Sequence, residues 1–376
     1  MRREPRSEPL DSAGRRLIGA EETIALVPRA TPKNARSEIQ RLAALAKRRE
    51  RLRPAFRYDP VPDLGHVRRE LERLARDTVA YGRLGALHAA RAEELELEAR
   101  LVERIGAPSF AELARTRFRA PDCVLRERVA AFVEAALAGS PPEPDARTRL
   151  TASDDRNEPS SLVQKLLRHA AELALPLRVE IRPGQLAIAA TGHGIVAIRP
   201  GVLLSADTAA RIARHELFGH ALPRARSVHA RYSLLRAGTA GSVESEEGRA
   251  LVIETRAGLF DSARRRELAL RHLAALSVRQ GADFEETVRA LAARGAEHLS
   301  AIEIAARVHR GGGLARELAY LPAYHEVKDA FSERPELERW FERGRVSLAA
   351  ARELEALESS LAAAPSYASN SMNTGV

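Results

Sequence analysis

Cysteine is almost missing from this chain, which carries only Cys123 in 376 residues. One thiol closes no internal disulfide, and the basic N-terminus MRREPRSEPLDSAGRR is followed by no apolar stretch, so a secreted, disulfide-stapled protein is not indicated and a cytoplasmic one is expected. No stretch approaches the roughly 18 consecutive apolar residues of a membrane-spanning helix, so no membrane partner is expected. Aromatic residues make up 4% of the chain, too few for a base-stacking platform. Acidic residues fall short of basic ones, 51 against 60, giving +9 and a pI near 10.2. The basic residues are nearly all arginine, however, and they alternate with acidic neighbours in RRELERLARD and RAEELELEARLVER. Interleaving of that kind marks solvated helix faces, so a nucleic-acid partner is not expected either.

What is present is a chain with 45% hydrophobic and 30% charged residues, enough to bury a substantial core in one large domain or two intimately packed ones. Residues 1–17 and the tail 359–376 are polar or small without periodicity and are expected to be loosely ordered. Apolar residues recur at three- and four-residue spacing between 34 and 140, which predicts a helical N-terminal region over 18–147, closed by the proline-rich SPPEPDART. A catalytic region is expected over 148–358. There LRVEI (177–181), LAIAA (186–190) and IVAIR (195–199) are β-type runs separated by Pro183-Gly184 and by Gly192-His193-Gly194, and they predict a three-stranded meander. Ser205 as N-cap and Asp207 in the first turn announce a helix that is expected to stop at Pro223. Helices are predicted near 243–260, 263–279, 283–296 and 298–309, so the fold class is α+β, helix-dominated, with a small antiparallel sheet.

The helix after the third strand carries His215-Glu216-Leu217-Phe218-Gly219-His220. Two neutral imidazoles are good zinc ligands, and a carboxylate beside the first suits a general base that takes a proton from a metal-activated water. The spacing is i, i+5, about 140° apart on a regular helix, whereas i, i+4 would be about 40°. Both histidines reach one ion only if the helix widens locally as a π bulge does, and Gly219 is a suitable place for it. A regular helix with one buried and one exposed histidine is the competing reading. A catalytic zinc needs a third protein ligand. Downstream, Glu246 and Glu247 precede an apolar run, ALVI, so this helix is partly buried; acidic residues in a first turn also simply suit the helix dipole.

His215–His220 followed by Glu246-Glu247-Gly248-Arg249-Ala250 resembles the family of microtubule-associated tyrosine carboxypeptidases and QEGLA-motif bacterial proteins. PRATPKNARSEIQRL, PAFRYDP, VAIRPGVLLSADTAARIARHE and HRGGGLARELAYLPAYHEV are similar to that family's segments, so the resemblance covers roughly residues 25–330. It implies a zincin-like metallopeptidase with one Zn2+ per chain on His215, His220 and Glu247 and with Glu216 as base. Two positions depart from the family pattern. Phe218-Gly219 stands where the family has Gly followed by Thr or Val, and Arg249 stands where it has the leucine of EGLA. HELFGH and EEGRA are also similar to the dipeptidyl peptidase III motifs HELLGH and EECRAE, a longer family without the other matching segments, which assigns the same roles to the same four residues.

Near such a site, Arg310 before Gly311-Gly312-Gly313 offers forked donors for a terminal carboxylate, and Tyr320, His309 or His325 could donate to a developing oxyanion. His66, His88 and His272 sit singly in helical stretches as ordinary partly buried residues. The expected activity is removal of a C-terminal residue, aromatic by the resemblance, from a peptide or protein, with an edge strand such as IVAIR holding the substrate backbone. The competing functions are a zinc dipeptidyl peptidase acting at the N-terminus and a non-enzymatic metal-containing binding protein.

Overall fold

The computed structural model describes residues 8–139, 147–192 and 194–363. Its N-terminal helices are α1 (Glu8–Ile24), α2 (Leu26–Ala30), α3 (Ala35–Lys47), α4 (Gly65–Thr78), α5 (Gly82–Val102), α6 (Phe110–Arg117) and α7 (Cys123–Leu137). There follow β1 (Thr151–Ala152), α8 (Leu162–Glu172), β2 (Arg178–Ile181), β3 (Ala189–Gly192), β4 (Ile195–Ile198), β5 (Leu203–Leu204) and α9 (Ala206–Arg214). A π-helical turn (His215–Ala221) continues α9 into α10 (Leu222–Ser227). The remainder is helical: α11 (Leu234–Ala237), α12 (Ser242–Arg256), α13 (Ser262–Arg279), α14 (Phe284–Ala293), α15 (His298–His309), α16 (Tyr320–Glu333), α17 (Glu338–Arg343) and α18 (Leu348–Ala363). The fold is α+β and helix-dominated, as the periodicity predicts.

The ends are more ordered than their composition suggests. α1 begins at Glu8, inside the stretch expected to be loose, because Leu10, Ala13, Leu17, Ala20 and Ile24 form a buried stripe at alternating three- and four-residue spacing. α18 likewise runs through 359 to Ala363. Residues 1–7, most of the proline-rich stretch (140–146), His193 and the tail 364–376 lie outside the described residues. The hydrophobic cores draw on both sides of the proline-rich stretch. Leu17, Leu71, Leu95 and Phe110 pack with Leu234 and Leu314. Leu125 and Val129 of α7 pack with Leu251, Tyr324 and Trp340.

The predicted meander is not what forms. The three-stranded sheet has the order β2-β4-β3, with β2 parallel and β3 antiparallel to β4. Short apolar runs carry no direction: Pro183-Gly184 is not a hairpin turn, and residues 182–188 carry the chain past the place of β4 to the far edge. Of these three strands only β3 and β4 make a hairpin, in which Gly192 pairs with Ile195 and Gly194 takes φ +73°. IVAIR is therefore the central strand, and the edges belong to β2 and β3. A separate antiparallel pair joins β1 to β5 with two residues in each strand, too short to read from sequence.

The sheet buries one face against α8 and α9 through Leu162, Leu166, Val196, Ile198, Ile212 and Leu217. This packing sets β3 beside the π turn, and α12 lies against both that turn and α16. Two glycines allow the close approach. A Cβ on Gly219 would come within 2.6 Å of Ala250 Cβ, and one on Gly248 would come within 2.3 Å of the Ala323 carbonyl oxygen.

Candidate metal centre

Ser205 caps α9 by accepting from the Thr208 N–H, and Ala209, Ile212 and Ala213 form its buried face, which carries the chain inward to His215. The seven residues His215–Ala221 then adopt π geometry, with the Leu222 N–H donating to the Leu217 carbonyl, an i to i−5 bond. The helix does not stop at Pro223. That residue falls in the first turn of α10, where a missing N–H is tolerated, and the helix continues to Ser227. The missing N–H has one cost: in the π register the Phe218 carbonyl would look to position 223 for its donor. Arg249 Nη1 donates to that carbonyl instead, at 2.6 Å. Arg249 thus satisfies the carbonyl that the bulge and the proline leave over.

The widened turn brings the two imidazoles together, with ring centroids 5.2 Å apart. One ligand atom each from His215, His220 and Glu247 lies within 4.8 Å of the others. Glu247 Oε2 stands 3.4 Å from His215 Nε2 and 3.8 Å from His220 Nε2. The opposite nitrogens are held by carboxylates of α12. His215 Nδ1 is 2.7 Å from Glu254 Oε1, and His220 Nδ1 is 3.4 Å from Glu246 Oε2. Glu254 is itself gripped by Arg264 through Nε at 2.9 Å and Nη2 at 3.0 Å. Each ring is thereby oriented with Nε2 toward Glu247.

The electrostatics suit a cation at the centre. Burial works to lower the pKa of His215, but Glu247 and Glu254 outweigh it and push the imidazole up to about 9. Burial opposes ionisation of Glu247, yet His215, His220 and Arg316 hold its carboxyl well below the usual range. These groups are buried, and in water-poor surroundings such a set calls for compensating charge.

Glu216 is buried beside the ligands, and Thr191 of β3 donates to its Oε2 at 2.7 Å and to its backbone carbonyl at 3.3 Å. Tyr320 is brought to the site, its hydroxyl donating to Glu247 Oε1 at 3.1 Å. The same oxygen accepts from Arg316 Nη2 at 2.8 Å. Arg310 is not brought to the ligands. It is buried against Glu317, with Nη2 3.5 Å from Oε1, and with too little anionic company burial drops its pKa to about 10. His309 bonds Thr287 Oγ1 and His325 packs on Phe132 and Tyr324, so neither faces the site. Sequence reading missed Thr191, Arg316, Glu246 and Glu254 in their supporting roles. Only Glu254 carried a signal, since a seven-residue step on α12 places it on one face with Glu247.

Two imidazoles and a carboxylate converging from neighbouring helices, with a further carboxylate fixed beside them, form the donor set used by metal-dependent hydrolases. The family model described as microtubule-associated tyrosine carboxypeptidase matches residues 44–375, and the chain belongs to that family. No curated protein and no solved structure matches the chain.

Proposed function

We propose that the protein is a zinc-dependent carboxypeptidase that removes a C-terminal residue, aromatic in keeping with its family's description, from a peptide or protein in the cytoplasm. The observation that carries this reading is the convergence of His215, His220 and Glu247 beside a fixed Glu216. The donors fit zinc, because both histidines turn Nε2 to the same point while carboxylates hold Nδ1. One ion held by these three residues would supply Lewis acidity to a water and to the scissile carbonyl. Glu216 accepts the proton of the attacking water and returns it to the leaving amine, and Thr191 keeps the carboxylate aimed for both transfers. Arg316 and Tyr320, which reach the centre where Arg310 does not, supply a cation and a hydroxyl for the substrate's terminal carboxylate. With IVAIR in the middle of the sheet, the edge open to a substrate backbone beside Glu216 is β3. A groove of about 260 Å³ leads away from Thr191 and Ala221 between Leu177, Val228 and Ile18, with room for the peptide ahead of the cleaved bond. No helix among the described residues is long and apolar enough to cross a membrane.

Mass spectrometry of peptides with free and amidated C-termini tests the proposal. A free C-terminus should lose one residue, and its amidated twin should resist by more than about tenfold, as expected when a buried charge loses its partner. Glu216→Gln should abolish cleavage of both. Release of N-terminal dipeptides, indifferent to amidation, would overturn the assignment in favour of a dipeptidyl peptidase, and no cleavage of any peptide would overturn it in favour of a non-enzymatic role.

A further inference from the structure

The two ring-holding carboxylates are themselves held differently. Glu254 is gripped from α13, inside the catalytic region, by Arg264. Glu246 is held by Arg345, whose Nε donates to Oε1 at 3.1 Å and whose Nη1 and Nη2 grip Glu21 of α1 at 2.5 and 2.8 Å. Arg91 of α5 lies 3.1 Å from the same Glu21 Oε1 that Arg345 Nη2 grips. Arg345 is 3% and Glu246 4% exposed, so solvent does little to screen the link between them, while the Glu21 side chain is 26% exposed. A guanidinium presents donors on two edges at fixed angles, and here one edge is spent on α1 and the remaining Nε on the metal centre. α1 precedes residue 44, where the family match begins.

We propose that Arg345 is a positioning residue for the metal centre: set by Glu21 of α1, it holds Glu246 against His220 Nδ1 and so fixes the imidazole with Nε2 toward Glu247. This inference rests on the zinc reading above. The Arg224 guanidinium also reaches Glu246 Oε2, at 3.3 Å, so loss of Arg345 weakens the hold on His220 without abolishing it.

The test is zinc affinity of the full-length chain, measured by competition with a chromophoric chelator, with folding of each variant verified by circular dichroism. Arg345→Gln should lower zinc affinity about tenfold, the low end for loss of a group that orients a ligand. Glu21→Gln, a milder change that leaves Arg345 in place, should lower it severalfold, and Arg345→Lys should fall between wild type and Arg345→Gln. In zinc-loaded protein labelled with 15N-histidine, the ring signals of His220 should move while those of His215 stay. A merely structural role for Arg345 would lower thermal stability and leave both readouts alone. Wild-type affinity and an unmoved His220 signal in folded Glu21→Gln and Arg345→Gln would overturn the proposal, and Glu21→Gln decides alone if Arg345→Gln does not fold. Wild-type protein that takes up no zinc would overturn the function reading itself, an outcome distinct from failure of the relay.

Discussion

A general base, the role proposed for Glu216, is only as good as its aim, and among the described residues Thr191 aims this carboxylate. Thr191 donates to its Oε2 from the edge strand, 25 residues earlier in the chain. Thr191→Val keeps the shape and removes the donor. We expect kcat to fall about tenfold, equivalent to about 1.4 kcal/mol, with KM and zinc content nearly unchanged and with Thr191→Ser restoring most of the rate. His215, His220 and Glu216 were legible in the sequence because they share one helix, where spacing alone sets direction, whereas Glu247 sits on α12 and was singled out by the family resemblance. Thr191 and Arg316 were not, since each becomes a partner of the site only when a strand edge or a loop 69 residues away folds onto it. Arg310 attracted notice for its glycine neighbours, yet Glu317 claims it.

At the level of elements, the π turn is the feature on which the site depends, and its requirement followed from the i, i+5 spacing of His215 and His220. What spacing did not reveal is how the turn is supported. Pro223 withholds a donor from the Phe218 carbonyl and Arg249 replaces it. Arg249→Leu should therefore destabilise this protein by about 1–3 kcal/mol in urea denaturation. In a Pro223→Ala background, where a backbone N–H returns, the same change should cost clearly less. Equal costs in both backgrounds would mean that Arg249 does not compensate for the proline. The sheet was the least legible element. β2 and β4 look alike as sequences, and nothing in the turn residues between them marks their parallel pairing.

Across the whole molecule, the helical class was legible from periodicity, while the order of the first helix was hidden by glycines and charges scattered along its buried stripe of Leu10, Leu17 and Ile24. Buried histidines also give the fold a pH signature. Burial lowers His272 and His309 from 6.5 to about 4. Between those values the unfolded chain binds protons that the folded one refuses, so stability is complete above about pH 6.5 and falls as pH drops toward 4. Each residue should account for a loss on the order of 2 kcal/mol by pH 4, and His272→Gln should flatten the acid limb of a denaturation series. The zinc site proposed on His215, His220 and Glu247 is checked by elemental analysis of purified wild-type and His220→Ala protein. The wild type should carry about one zinc per chain and the variant almost none; a variant that keeps its zinc at wild-type affinity, or a wild type that holds none when zinc is supplied, would rule the site out.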